Sequence, residues 1–106
     1  MAPKIYTSSF SAVPLHDRSL FTHLFGTSKN SGDIGGLPGS APAFIDAQTG
    51  TTITRAQLKA LAFSFGYGIR QHKHTSAKRG DTVLIYSQNS LAWPVVLYGS
   101  GKLLYY

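Results

Sequence analysis

Apolar and polar positions along the chain sort into a few short elements. Residues 54–72 hold the clearest pattern. Leu58, Leu61, Ala62, Phe65 and Ile69 fall at i, i+3, i+4, i+7 and i+11, which predicts one buried stripe of an amphipathic helix. Thr54 and Gln57 open that helix as a Thr-x-x-Gln capping box, in which each side chain satisfies the other residue's backbone N–H. Gly66 and Gly68 weaken its second half by roughly 1 kcal/mol each against Ala, so both read as points of close packing. Upstream, Ala43-Phe44-Ile45 and Thr51-Thr52-Ile53 flank Asp46-Ala47-Gln48-Thr49-Gly50. That arrangement predicts a hairpin over 42–54, with Gly50 supplying positive φ. Downstream, Gly80-Asp81 makes a turn into Thr82-Val83-Leu84-Ile85-Tyr86, a near-continuous apolar run that predicts a strand buried on both faces. Ser90 is the cap candidate for a helix over 91–98, where Pro94 is tolerated near the first turn.

The first part of the chain is less regular. Residues 1–18 read as extended, with Pro3 and Pro14. Asp17 is the expected cap of a short helix over 18–25, whose Leu20, Phe21, Leu24 and Phe25 share one face and which Gly26 stops. Residues 26–41 are rich in Gly, Ser and Pro, with Ile34 and Leu37 as their large apolar residues, and predict a loop. Their glycines do not make a dinucleotide cradle, because no Gly-x-Gly-x-x-Gly spacing is present. The expected order of hairpin, long helix, buried strand and helix places the chain in the α/β class.

Composition narrows the chemistry. The 106 residues carry a formal net charge of +6, from ten Lys and Arg against four acids. All four acids are Asp (17, 33, 46 and 81), so paired carboxylates or a carboxylate cage for a metal have few sources. With no cysteine, the chain has no disulfide framework, zinc ribbon, thiolate nucleophile or redox pair. The basic excess concentrates in one place, where Arg70, His72, Lys73, His74, Lys78 and Arg79 fall within ten residues. That cluster contains no aromatic residue and runs into a turn, so it reads as a solvated helix end, where cations also suit the helix dipole. It predicts only weak, sequence-independent attraction to nucleic acid at low salt. His72 and His74 alternate as metal ligands sometimes do, but Asp81 is the one carboxylate near them, and an exposed loop is the preferred reading. Gly99-Ser100-Gly101-Lys102 resembles the end of a P-loop but fails it, with Val96 where Gly belongs and Leu103 where Ser or Thr belongs. No Gly-x-Ser-x-Gly elbow occurs. No catalytic, cofactor-binding or metal-ligating residue is therefore assigned.

The N-terminus shows no apolar run behind Lys4, so no signal peptide is expected. The apolar stretch 91–98 is too short to span a bilayer, and the final Leu104-Tyr105-Tyr106 is not a peroxisomal address.

Set in order, these pieces resemble a known family. The runs PAFIDAQTGTTITRAQLKALAFSFGYGIRQ and KRGDTVLIYSQNSLAWPVVLYG are similar to the start of an acyl-CoA synthetase. More narrowly, they resemble fungal relatives of 4-coumarate–CoA ligases in the adenylate-forming, AMP-dependent synthetase superfamily. The matching elements are Phe44-Ile45-Asp46, Gly50, Thr52-Ile53-Thr54, Leu58, Gly80-Asp81-Thr82-Val83 and Asn89-Ser90. Residues 13–25, VPLHDRSLFTHLF, are similar to the family's N-terminal approach segment, and the resemblance extends over about 5–99. It implies the N-terminal piece of an AMP-binding domain, a parent enzyme using ATP, Mg and CoA, and an intracellular, cytoplasmic or peroxisomal setting.

The resemblance stops near residue 99. The expected organisation is an extended segment with a short helix and loop over 1–41, a truncated synthetase region over 42–99 and a divergent tail over 100–106. The family's phosphate loop, adenine-binding motif, ribose-binding Asp and catalytic Lys have no counterpart here, so none of its site residues carries over. The expectation is a truncated synthetase region, inactive alone, with the tail arising from a splice or frame error or a misplaced gene boundary. Two alternatives stay open: a small basic module for nucleic acid or an acidic partner, and a regulatory piece that pairs with a full-length ligase. No specific nucleic-acid binding and no membrane span are expected. Self-association is expected through the exposed apolar strand 83–85 and the helix face bearing Trp93, Val96 and Leu97.

Overall fold

The computed structural model describes residues 2–15, 17–26, 33–34 and 37–103. Its elements, in chain order, are α1 (Leu20–Phe25), β1 (Asp33–Ile34), β2 (Leu37–Pro38), β3 (Pro42–Ile45), β4 (Thr52–Thr54), α2 (Arg55–Gln71) and α3 (Ala92–Leu103). The protein is mixed α/β. Among the described residues the strands form two antiparallel pairs, β1 with β2 and β3 with β4. The first pair lies inside the segment expected to be a plain loop.

The hairpin forms where the pattern put it. Phe44 pairs with Ile53 and Ile45 with Thr52, and an irregularity between Pro42 and Phe44 brings Pro42 opposite Thr54. Asp46 organises the turn, its Oδ1 accepting from the backbone N–H groups of Gln48 at 2.9 Å and Thr49 at 2.8 Å. Gly50 closes it at φ 71°, a conformation that costs glycine no Cβ clash.

Thr54 then caps α2 with both halves of the capping box in place. Gln57 N–H donates to Thr54 Oγ1 at 3.2 Å, and Thr54 N–H donates to Gln57 Oε1 at 2.9 Å. Two further donors at this helix start are satisfied from outside the helix: Arg55 N–H reaches Ala41 O and Ala56 N–H reaches Gly39 O, each at 2.9 Å. The hairpin and α2 are thus tied together by backbone bonds.

Four expectations are corrected. Ser19, not Asp17, caps α1: its Oγ accepts from Thr22 N–H at 3.0 Å and donates to Thr22 Oγ1 at 2.8 Å, and the helix starts at Leu20. Asp17 lies two residues before the cap position, too early to reach that first turn. Along α2 the buried residues are Leu58, Ala62 and Gly66, while Leu61 is 47 % exposed. Residues 82–86 are not a strand; they are irregular, with Leu84 86 % and Tyr86 95 % exposed, because no strand among the described residues pairs with them. Finally, α3 runs past residue 98 to Leu103, crossing the 99/100 boundary without a break.

The core is small. Phe21, Phe25, Leu58 and Ala62 are buried, with Leu24, Ala43, Ile53, Val95 and Tyr98 packed against them. Phe25 stands edge-on to Tyr98 at 5.5 Å between ring centroids, which seats α1 on α3. A folded chain of 11.4 kDa ordinarily leaves about 5,800 Å² accessible, whereas this one leaves 8630 Å². Among the described residues, Ile5, Phe10, Leu15, Leu84 and Tyr86 are all above 80 % exposed.

Candidate functional site

The most tightly built contact in the molecule is the crossing of α2 and α3. A Cβ placed on Gly66 would lie 2.8 Å from Gly99 O, and one on Gly99 would lie 2.6 Å from Ala62 O and 2.8 Å from Phe65 Cδ1. Only hydrogen at these two positions lets the backbones approach so closely. Gly66 therefore has the close-packing role expected of it. Gly68 does not, since a Cβ there meets nothing within 4 Å. Ser100 follows Gly99 into this contact and is 6 % exposed, with its Oγ unpartnered.

The Gly99-Ser100-Gly101-Lys102 run, rejected as a P-loop from its spacing, lies within α3. A P-loop needs a turn whose N–H groups point at phosphate, and helical N–H groups are committed to the helix. In the glycine-rich segment 26–41, Gly26 ends α1 at φ 69°, and Gly39 is buried with its carbonyl on Ala56 N–H. Residues 27–32 and 35–36 of that segment lie outside the described residues.

The basic cluster begins in the last turn of α2. His72 is the C-cap, its N–H donating to Gly68 O at 2.9 Å. The chain then folds back on the helix end: Thr75 Oγ1 donates to Ile69 O at 2.9 Å and Ala77 N–H to the same carbonyl at 3.1 Å. Asp81 Oδ2 accepts from Lys78 N–H at 2.7 Å and closes the turn that follows. Arg70, His72, Lys73, His74, Lys78 and Arg79 are all exposed. The His72 and His74 rings stand 5.5 Å apart between centroids, tilted by 51°. His72 Nδ1 accepts a long bond from His74 N–H at 3.4 Å. Among the described residues no three His, Cys, Asp or Glu gather as a metal site.

One carboxyl is held away from its ordinary value. The backbone N–H groups of Thr49 and Gln48 hold Asp46 below the usual carboxylate range, with a further bond from the Thr49 hydroxyl. These contacts are internal to the hairpin turn and serve its geometry, not a reaction.

Two exposed residues escaped the sequence reading. Phe63 and Tyr67, 51 % and 65 % exposed, lie one turn apart on α2 and off its buried stripe. Their i, i+4 spacing was the available signal, and it leads directly to Arg70 at i+7. Among the described residues the candidate site is thus a surface, the outward face of α2 and the basic turn after it. No helix among the described residues is long and apolar enough to cross a membrane. Neither a protein-family model, nor a curated protein, nor a solved structure matches this chain.

Proposed function

We propose that this chain is the N-terminal scaffold region of an acyl-CoA synthetase of the 4-coumarate–CoA ligase type, an AMP-dependent adenylate-forming enzyme. On this reading it carries no ATP, acyl or CoA site and is inactive alone. The observation that supports it is the state of residues 82–86. Their apolar run has the pattern of an inner strand, yet they lie irregular, all but Ile85 exposed, while a hairpin and a helix pair are well formed. A strand sequence without a sheet is what a piece of a larger sheet looks like when its neighbours come from elsewhere. The chain's 8630 Å² of accessible surface, against about 5,800 Å² for a complete domain of this mass, agrees. The chain's contribution to the parent enzyme is then mechanical: a capped helix pair locked at Gly66 and Gly99, and one strand for the sheet.

Split complementation tests the proposal. A fungal 4-coumarate–CoA ligase-like enzyme lacking its corresponding N-terminal region is co-expressed with this chain and assayed for acid-dependent pyrophosphate release with ATP, Mg²⁺ and CoA. Activity from the pair, and none from either part, is expected. Pyrophosphate release by this chain alone, or a failure of the pair to associate, contradicts the reading.

A further inference from the structure

We propose that the outward face of α2 and the basic turn that follows it bind single-stranded nucleic acid without sequence preference. The surface is built from two kinds of side chain in one line. Phe63, Tyr67 and Arg70 fall at i, i+4 and i+7 and so share one face of α2. Phe63 is 51 % and Tyr67 65 % exposed, so both present aromatic surface to solvent. Beyond them stand His72, Lys73, His74, Lys78 and Arg79, all exposed. The turn that carries these residues is not slack. Both Thr75 Oγ1 and Ala77 N–H are bonded to Ile69 O, so Lys78 leaves from beside the last turn of α2, close to Arg70. Asp81, the nearest acid in sequence, is turned onto Lys78 N–H and closes the turn.

The cluster alone reads as a solvated helix end because it contains no aromatic residue. The fold supplies the aromatics from the preceding two turns of the same helix. Cations matched to phosphates beside aromatic faces matched to bases are the two components of a single-strand platform. The partner is single-stranded because a duplex keeps its base faces stacked inside, out of reach of Tyr67. The partner is not a lipid surface, because α2 has already turned its apolar stripe, Leu58 and Ala62, into the core. Two rings leave too little apolar face for an interfacial helix. This surface is independent of the ligase reading, and its test shares no readout with the complementation assay.

The test is fluorescence anisotropy of the full chain with a fluorescein-labelled oligothymidine of about 15 nucleotides, with a duplex of equal length alongside. Four cations (Arg70, Lys73, Lys78 and Arg79) each contributing about −0.7 to the salt slope predict a ~20-fold weaker Kd at about 150 mM than at about 50 mM KCl. Tyr67→Ala weakens binding about tenfold at fixed salt, while Tyr67→Phe keeps it and circular dichroism shows α2 unchanged. Replacing Lys73, Lys78 and Arg79 together by Gln flattens the salt slope by about 2. Three results overturn the proposal. They are Tyr67→Ala and Phe63→Ala each leaving oligothymidine binding at the parent value, the duplex binding as tightly as the single strand, or phosphatidylserine vesicles capturing the chain while oligothymidine does not.

Discussion

Replacing Gly66 by Ala should destabilise the molecule, although Ala is the better helix former. The new Cβ would sit 2.8 Å from Gly99 O, a backbone atom that cannot rotate away. Reaching an ordinary contact of about 3.5 Å requires α2 and α3 to part by on the order of 0.7 Å. A gap of that size forfeits roughly a quarter to a half of the dispersion attraction across the crossing, where Ala62 is fully buried and Val95 and Tyr98 pack. Overpacking against a rigid backbone costs about 3 kcal/mol at the upper end of its range, and the helix preference for Ala returns about 1 kcal/mol. The net loss is ~2 kcal/mol, a fall in Tm on the order of 10 °C for a chain of this length. Gly68→Ala is the matched control on the same helix. Its Cβ meets nothing within 4 Å, so it keeps the propensity gain and raises Tm by about 5 °C. Thermal and urea unfolding followed by circular dichroism gives both values. Gly66→Ala as stable as Gly68→Ala would refute the close crossing.

Thr54→Ala removes the acceptor for Gln57 N–H and should cost ~1 kcal/mol, read as a lower urea midpoint with an unchanged m-value. Asp46 has its folded pKa depressed, so its support of the hairpin is complete above the ordinary value near ~4 and is lost as pH falls through the lower folded value. A carboxyl NMR titration should show Asp46 titrating below the ordinary carboxylate range, and Asp46→Asn should remove the acid sensitivity of the hairpin amides. Self-association is expected through the exposed run at 83–85, where Val83 is 40 % and Leu84 86 % exposed. Sedimentation velocity at tens of micromolar should show oligomers that Leu84→Lys reduces, and an unchanged distribution for that variant would exclude this segment as the contact.

The parts of the fold legible in the sequence are those set by near neighbours. The Thr54–Gln57 box spans four positions and the Asp46–Gly50 turn spans five, so the residues that form each bond are adjacent in the text. Ser19 and Asp17 show the limit of that reading. Both are good caps two residues apart, and the choice went to the one whose hydroxyl meets Thr22. Gly66 and Gly68 look alike in sequence, and only the position of Gly99 on another helix distinguishes them. Residues 82–86 fail for a related reason, since an apolar β-branched run becomes a strand only when another strand supplies its hydrogen bonds. The binding face of α2 was half legible. The cations of 70–79 stand together in the text, whereas Phe63 and Tyr67 join them only on the helix.

Amide hydrogen exchange on the full chain tests most directly whether residues 82–86 are a strand without a sheet. The account predicts strong protection across 58–69, where α2 packs on the core, and exchange at near-unprotected rates across 82–86. Protection at 82–86 equal to that of α2 would show a paired, buried strand in the isolated chain and contradict the account.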